Sequence, residues 1–173
     1  SWLIVDESAN GYRLLWQYHN SPQARVGDVV AVAEHSMDAT PEPVIGLIRW
    51  MRQVDNYGLL IGLQLLSPKI DLVRLNQAST QNQSASHSPI GLLLPSMSNI
   101  NQPATLITPA LRYQVDSHLS MQLKNSRSKI RLKKIIENTG ITTQFEIIIL
   151  NSSPFTPQNE IPAMADKHAW QLM

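Results

Sequence analysis

The chain has 173 residues, with 14 Lys and Arg, 13 Asp and Glu, and no cysteine. That length accommodates one large domain or two small ones. A formal net charge of +1 gives no whole-chain electrostatic case for nucleic acid or a membrane surface. The lack of cysteine excludes disulfides, thiol catalysis and thiolate metal sites.

Strand signals dominate from the first residues. Trp2 to Val5 is an apolar run that reads as a strand. Asp6, Ser8, Asn10 and Gly11 follow as a polar turn, and Tyr12 to Trp16 reads as the next strand. Asp6 and Ser8 lie two apart, so extended backbone points both to one face. A carboxylate and a hydroxyl beside a glycine can accept hydrogen bonds from a planar donor edge such as the N1–H and amino group of guanine. The plainer alternative is a local turn in which these side chains bond their own backbone.

Arg25 to Glu34, rich in valine, is the next expected strand, because β-branched residues pack well on a pleated surface. Val44 to Gln53 and Leu59 to Leu66 flank the Asp55–Gly58 turn as an apolar hairpin. No stretch before Pro68 carries an amphipathic helical pattern. Pro68 to Val73 reads as a short strand leaving this first barrel. Residues 76–88, rich in Ser, Gln and Asn, read as a linker or exposed loop.

Strands resume at Ile90 to Leu94 and Ala104 to Thr108, each closed by a proline, and Leu111 to Val115 continues the second or begins another. His118 to Lys124 alternates Leu119, Met121 and Leu123 with polar residues, a half-buried pattern. Lys129 to Ile136 repeats it with Ile130 and Leu132 inward, and Thr142 to Leu150 ends the β region. The expected organisation is all-β: a barrel over 1–75, a linker over 76–88, a second β-barrel or sandwich-like domain over 89–150 and a tail over 151–173. Within that tail only Met164 to Leu172 reads as helical. A strand–turn–strand echo between Ile45–Leu66 and Ile130–Leu150 leaves open that the second domain is a divergent copy of the first.

The ordered motifs carry a family resemblance. Asp6-x-Ser8-x-x-Gly11 between two strands resembles the DxSxxG motif of PilZ domains. Arg25 to Val32, with Gly27-Asp28 before the strand, Val44 to Trp50, and Leu60 to Leu65 are similar to that family's succeeding segments. The resemblance covers residues 1–67. It implies a small antiparallel β-barrel and binding of the bacterial second messenger cyclic di-GMP, with Asp6, Ser8, Asn10, Gly11, Arg13 and Trp50 as candidate ligand-binding residues. It also implies signalling through a neighbouring domain or protein partner. Ligand-competent members carry an RxxxR motif upstream of the first strand, whose guanidinium groups grip phosphates and guanine edges. The sequence from Ser1 onward shows no such upstream motif, and the family's first strand is likewise not visible in it. Two readings therefore stand: a fragment of a longer receptor, or a degenerate PilZ module that binds proteins and pairs through an exposed sheet edge.

Other chemistry is sparse. Lys129, Arg131 and Lys133 share one strand face, with Lys124, Arg127 and Lys134 near. Without interleaved aromatics this reads as a solvated face that discourages edge pairing, not as a nucleic-acid platform. The five histidines show no metal spacing. There is no GxSxG, HExxH or Walker phosphate loop, so the reading is non-enzymatic, with no metal and no cofactor. No apolar run is long enough for a membrane span, and the composition fits a cytoplasmic protein.

Overall fold

In a computed structural model the chain is described over residues 2–17, 23–33, 43–55, 58–67, 69–77, 88–98 and 101–154. The all-β expectation holds: the described residues form eleven strands and no α-helix. The first five are β1 (Trp2–Ser8), β2 (Gly11–Trp16), β3 (Val29–Val32), β4 (Val44–Val54) and β5 (Gly58–Ser67). They make an antiparallel sheet in the order β1-β2-β5-β4-β3. The remaining six are β6 (Asp71–Gln77), β7 (Ile90–Leu94), β8 (Thr105–Pro109), β9 (His118–Leu123), β10 (Ser126–Asn138) and β11 (Thr142–Pro154). They close into a barrel in the order β10-β11-β8-β7-β6-β9.

The first sheet buries one face. Leu14, Ile48, Ile61 and Leu63 form its core, with Trp2, Tyr12, Val30 and Met51 packed around them. Trp2 and Trp16 are cross-strand partners with ring centroids 5.2 Å apart and planes tilted by 50°. Such aromatic pairs contribute roughly 0.5–1.5 kcal/mol beyond the area they bury. The barrel core is larger, with Leu75, Leu106, Leu119, Ile130, Leu132 and Phe145 at its centre. The inward alternation expected at Leu119, Met121, Ile130 and Leu132 is the one observed.

Several boundaries differ from the sequence expectation. Asp71–Gln77 pairs with β7 and β9, so it is a barrel strand and does not end the first sheet. Its buried Val73 and Leu75 can only be satisfied by the barrel core. Residues 111–115 form no strand: Leu111 has φ 61° and is fully solvated, while Tyr113 turns inward to the core. Of the strand expected over Arg25 to Glu34, the described residues form Val29–Val32. Gly27, at φ 93°, bends the chain before it, and the Asp28 carboxylate accepts the Arg25 N–H at 2.8 Å. The tail helix, most of residues 76–88 and His19, His35, His87 and His168 lie outside the described residues.

The barrel meets the sheet through the β10–β11 hairpin end. Thr139 and Thr142 Oγ1 donate to the Gly27 carbonyl at 3.3 and 3.5 Å. The Arg49 guanidinium is bidentate with the Glu137 carboxylate, its second bond measuring 3.0 Å. Both elements therefore present polar groups across their junction.

Candidate functional site

The site is built on the face of the first sheet opposite its core, by two interruptions of strand register. In β1, Ile4 pairs with Leu14 but Asp6 pairs with Arg13, leaving Val5 as an extra residue. In β4, Ile48 pairs with Leu63 but Trp50 pairs with Gly62, leaving Arg49 extra. A bulge changes which face the following residues occupy. Here the two bulges turn Asp6, Arg49 and Trp50 away from the core side held by Leu14 and Ile48. The turn expected over Asp6–Gly11 contracts to Ala9–Asn10, so Asp6 and Ser8 stand on the strand itself.

The register then defines a row across four strands. Asp6 is opposite Arg13, Arg13 is opposite Gly62, and Gly62 is opposite Trp50. Asp6 and Arg13 form an ion pair at 3.2 Å, with side chains 57 % and 48 % exposed. An exposed pair of this kind contributes about 0–1 kcal/mol, so breaking it costs little. Gly62 matters sterically, because a β-carbon there would run into the Trp50 indole ring. The indole thus lies flat across β5, and Trp50 remains 41 % exposed.

A second row lies alongside. Ser8 is opposite Gly11, and Gly11 is opposite Gln64. Ser8 Oγ donates to the Gly11 carbonyl at 3.2 Å, so its local-turn bond does form, and its oxygen lone pairs stay available to an incoming donor. Gly11 permits close approach of β2 and β5, since a β-carbon would strike the Leu63 carbonyl. The Gln64 side-chain oxygen accepts from Arg49 Nε, which carries the guanidinium along the margin of the site.

Together these residues line an open concavity of about 240 Å³. Asp6, Ser8, Asn10, Gly11, Arg13 and Trp50, the six candidate residues of the sequence, all border it. Arg49, Gly62 and Gln64 border it as well and were not among them. Enclosing ligand clefts run to roughly 300–1,000 Å³, so this is a one-sided platform. It offers acceptors at one end, two guanidinium groups, and an aromatic face.

The other candidates separate from it. Arg131 pairs with Asp116 at 3.1 Å, and Lys133 and Lys134 pair with Glu146 at 2.6 and 3.1 Å, which fits the reading of the basic strand as a solvated face. Hydrogen bonds from Lys133 and then Lys134 hold the Glu146 carboxyl below its ordinary pKa of 4.5. His118 is exposed on β9. Among the described residues no group of three or more His, Asp or Glu could hold a metal ion, and no helix is long and apolar enough to cross a membrane.

The antiparallel sheet with its Asp-x-Ser-x-x-Gly corner between β1 and β2, and with Trp50 on β4 two strands from that corner, belongs to the PilZ domain family over residues 1–71. More narrowly, residues 1–71 match the family described as "Cyclic-di-GMP receptor FimW, middle PilZ domain", and residues 73–150 match "FimW C-terminal beta-barrel domain". The two matches meet at residues 71–73, within the first residues of β6. The "Cyclic-di-GMP receptor FimW" of Pseudomonas aeruginosa (strain PAO1) is 32% identical over 143 residues, which is 83% of this chain and 23% of that protein. The chain thus spans about a quarter of that relative's length. No solved structure matches the chain significantly.

Proposed function

We propose that the chain is the ligand-sensing part of a non-catalytic regulatory receptor, and that its ligand is cyclic di-GMP. The observation that carries this reading is the Asp6–Arg13–Gly62–Trp50 row with Ser8 beside it. A guanine has a donor edge, N1–H and the amino group, that matches the Asp6 carboxylate and Ser8 oxygen. Its flat face matches the exposed indole of Trp50, and stacking of a base on an aromatic is worth about 1–3 kcal/mol. The phosphodiester anions match the guanidinium groups of Arg13 and Arg49, which bond phosphate oxygens in a planar fork. The concavity seats one base and leaves its outer side open. The relative's name as a receptor for the same ligand supports the assignment.

In this reading the receptor acts in the cytoplasm, and binding alters how the neighbouring barrel or a protein partner docks. Titration calorimetry with cyclic di-GMP on the full-length protein tests it: saturable binding is expected, weakened about tenfold or more by Asp6→Ala. A second reading, a protein-interaction module, draws on one observation. Edge strand β1 exposes Leu3, Ile4 and Val5 at 45–52 %, an apolar edge that can accept another strand. Sedimentation tests it: self-association abolished by Val5→Lys would favour it, and a monomer at all concentrations would dismiss it.

A further inference from the structure

Arg49 stands in two places at once. Its side chain borders the proposed nucleotide platform, and its guanidinium is held by Gln64 of the same sheet and, bidentately, by Glu137 of barrel strand β10. The Arg49 and Glu137 side chains are 37 % and 32 % exposed, so a small anion can reach the guanidinium without unfolding anything. Glu137 sits opposite Gln144, two residues from Thr142, whose pairing with Pro109 ties β11 to the barrel wall. Thr139, two residues further on, contacts Gly27 of the sheet. The Arg49–Glu137 pair is thus one of the polar ties joining sheet to barrel, and it lies at the rim of the ligand platform.

We infer that Glu137 and a ligand phosphate compete for Arg49, so that nucleotide binding releases the barrel from the sheet. This rests on the reading of the platform as a cyclic di-GMP site and adds the route by which occupancy is communicated. A guanidinium presents one fork to a carboxylate and the same fork to a phosphate, so engagement of one anion weakens the other. Coupling between two sites is reciprocal: what the ligand does to the Arg49–Glu137 tie, the tie does to ligand affinity. Because the pair is partly solvated, the effect is modest, about two- to fivefold in affinity.

The test is a double-mutant cycle on the full-length protein, with cyclic di-GMP as the probe in titration calorimetry. Glu137→Gln removes the competing charge while keeping its size, and it is expected to tighten binding about two- to fivefold. Arg49→Ala is expected to weaken binding about tenfold or more. In the Arg49→Ala background, Glu137→Gln is expected to have no further effect, a result that a merely structural role for Glu137 would not give. A label pair, one on the sheet and one on the barrel, is expected to report a broader distance distribution on ligand addition in the native protein. Thermal unfolding of each variant checks that the fold survives, and Glu137→Ala provides a second removal of the carboxylate. No binding by the native protein overturns the receptor reading and the competition with it. Binding that Glu137→Gln leaves unchanged or weakens, or an effect that persists without Arg49, overturns the competition alone and leaves the receptor reading standing.

Discussion

Trp50 and Gly62 show how much of the site depends on the absence of a methyl group. The indole lies where a side chain on Gly62 would be, so Gly62→Ala forces Trp50 off the platform. The expected outcome is loss of the aromatic face with little loss of fold, because Trp50 is on the solvent side of the sheet. Intrinsic tryptophan fluorescence on titration with cyclic di-GMP reads this directly. The native protein is expected to respond to ligand, and Gly62→Ala and Trp50→Ala are each expected to respond weakly and to bind about fivefold or more less tightly, given about 1–3 kcal/mol per stacked base. Asp6, Ser8 and Gly11 were legible in the sequence because their spacing is local. The match of Arg13 and Trp50 to the same concavity was legible through the family's motif order. Arg49 was not: strict two-residue alternation puts Arg49 and Trp50 on opposite faces, and only the bulge after Ile48 brings both to one side. Gln64 reads from the sequence as one more polar position on an outward face, and nothing local says what it touches.

At the scale of elements, the barrel strands were the most legible part of the chain. Clean alternation in β9 and β10 named Leu119, Met121, Ile130 and Leu132 as inward, and these are core residues in the fold. The barrel's hold on them gives a stability expectation. Leu132→Ala is expected to cost about 2–5 kcal/mol, seen as a lowered urea midpoint, because the side chain is fully buried and its neighbours cannot all collapse inward. The β10–β11 hairpin carries a pH expectation as well. Glu146 is buried at 7 % exposure and is bonded by Lys133 and Lys134, and those bonds lower its pKa in the folded state. A lowered folded pKa means that the contribution is present above the ordinary value of 4.5 and is lost as pH falls through the folded value. Thermal unfolding is therefore expected to lose stability below about pH 4.5, with Glu146→Gln less stable at neutral pH and flatter in that acid range. The strand that sequence reading misplaced, β6, was ambiguous for a physical reason. Val73 and Leu75 alternate as any half-buried strand does, and alternation does not say which of two cores receives them.

The described residues form a sheet with one solvated face joined to a closed barrel, and polar ties from the β10–β11 end contribute to the join. Gly27 is central to it: its φ of 93° and the 2.9 Å separation from Thr139 that a β-carbon there would have leave no room for substitution. Gly27→Ala is expected to loosen the sheet from the barrel. Hydrogen exchange is expected to rise at the β3 and β10–β11 ends while the Leu75, Leu106 and Phe145 core stays protected. This junction was invisible in the sequence, since Gly27 and Thr139 are more than one hundred residues apart in the chain. The change of composition that follows residue 75 comes at the end of β6, a strand that already pairs within the barrel.

The account stands on the outward face of β1, β2, β5 and β4 being a nucleotide platform. Calorimetric titration of the full-length protein with cyclic di-GMP, native and Asp6→Ala in parallel, tests this most directly. Saturable binding by the native protein, weakened about tenfold or more in the variant, is the expected result. An absence of binding by the native protein, or equal affinity in the two, would contradict it.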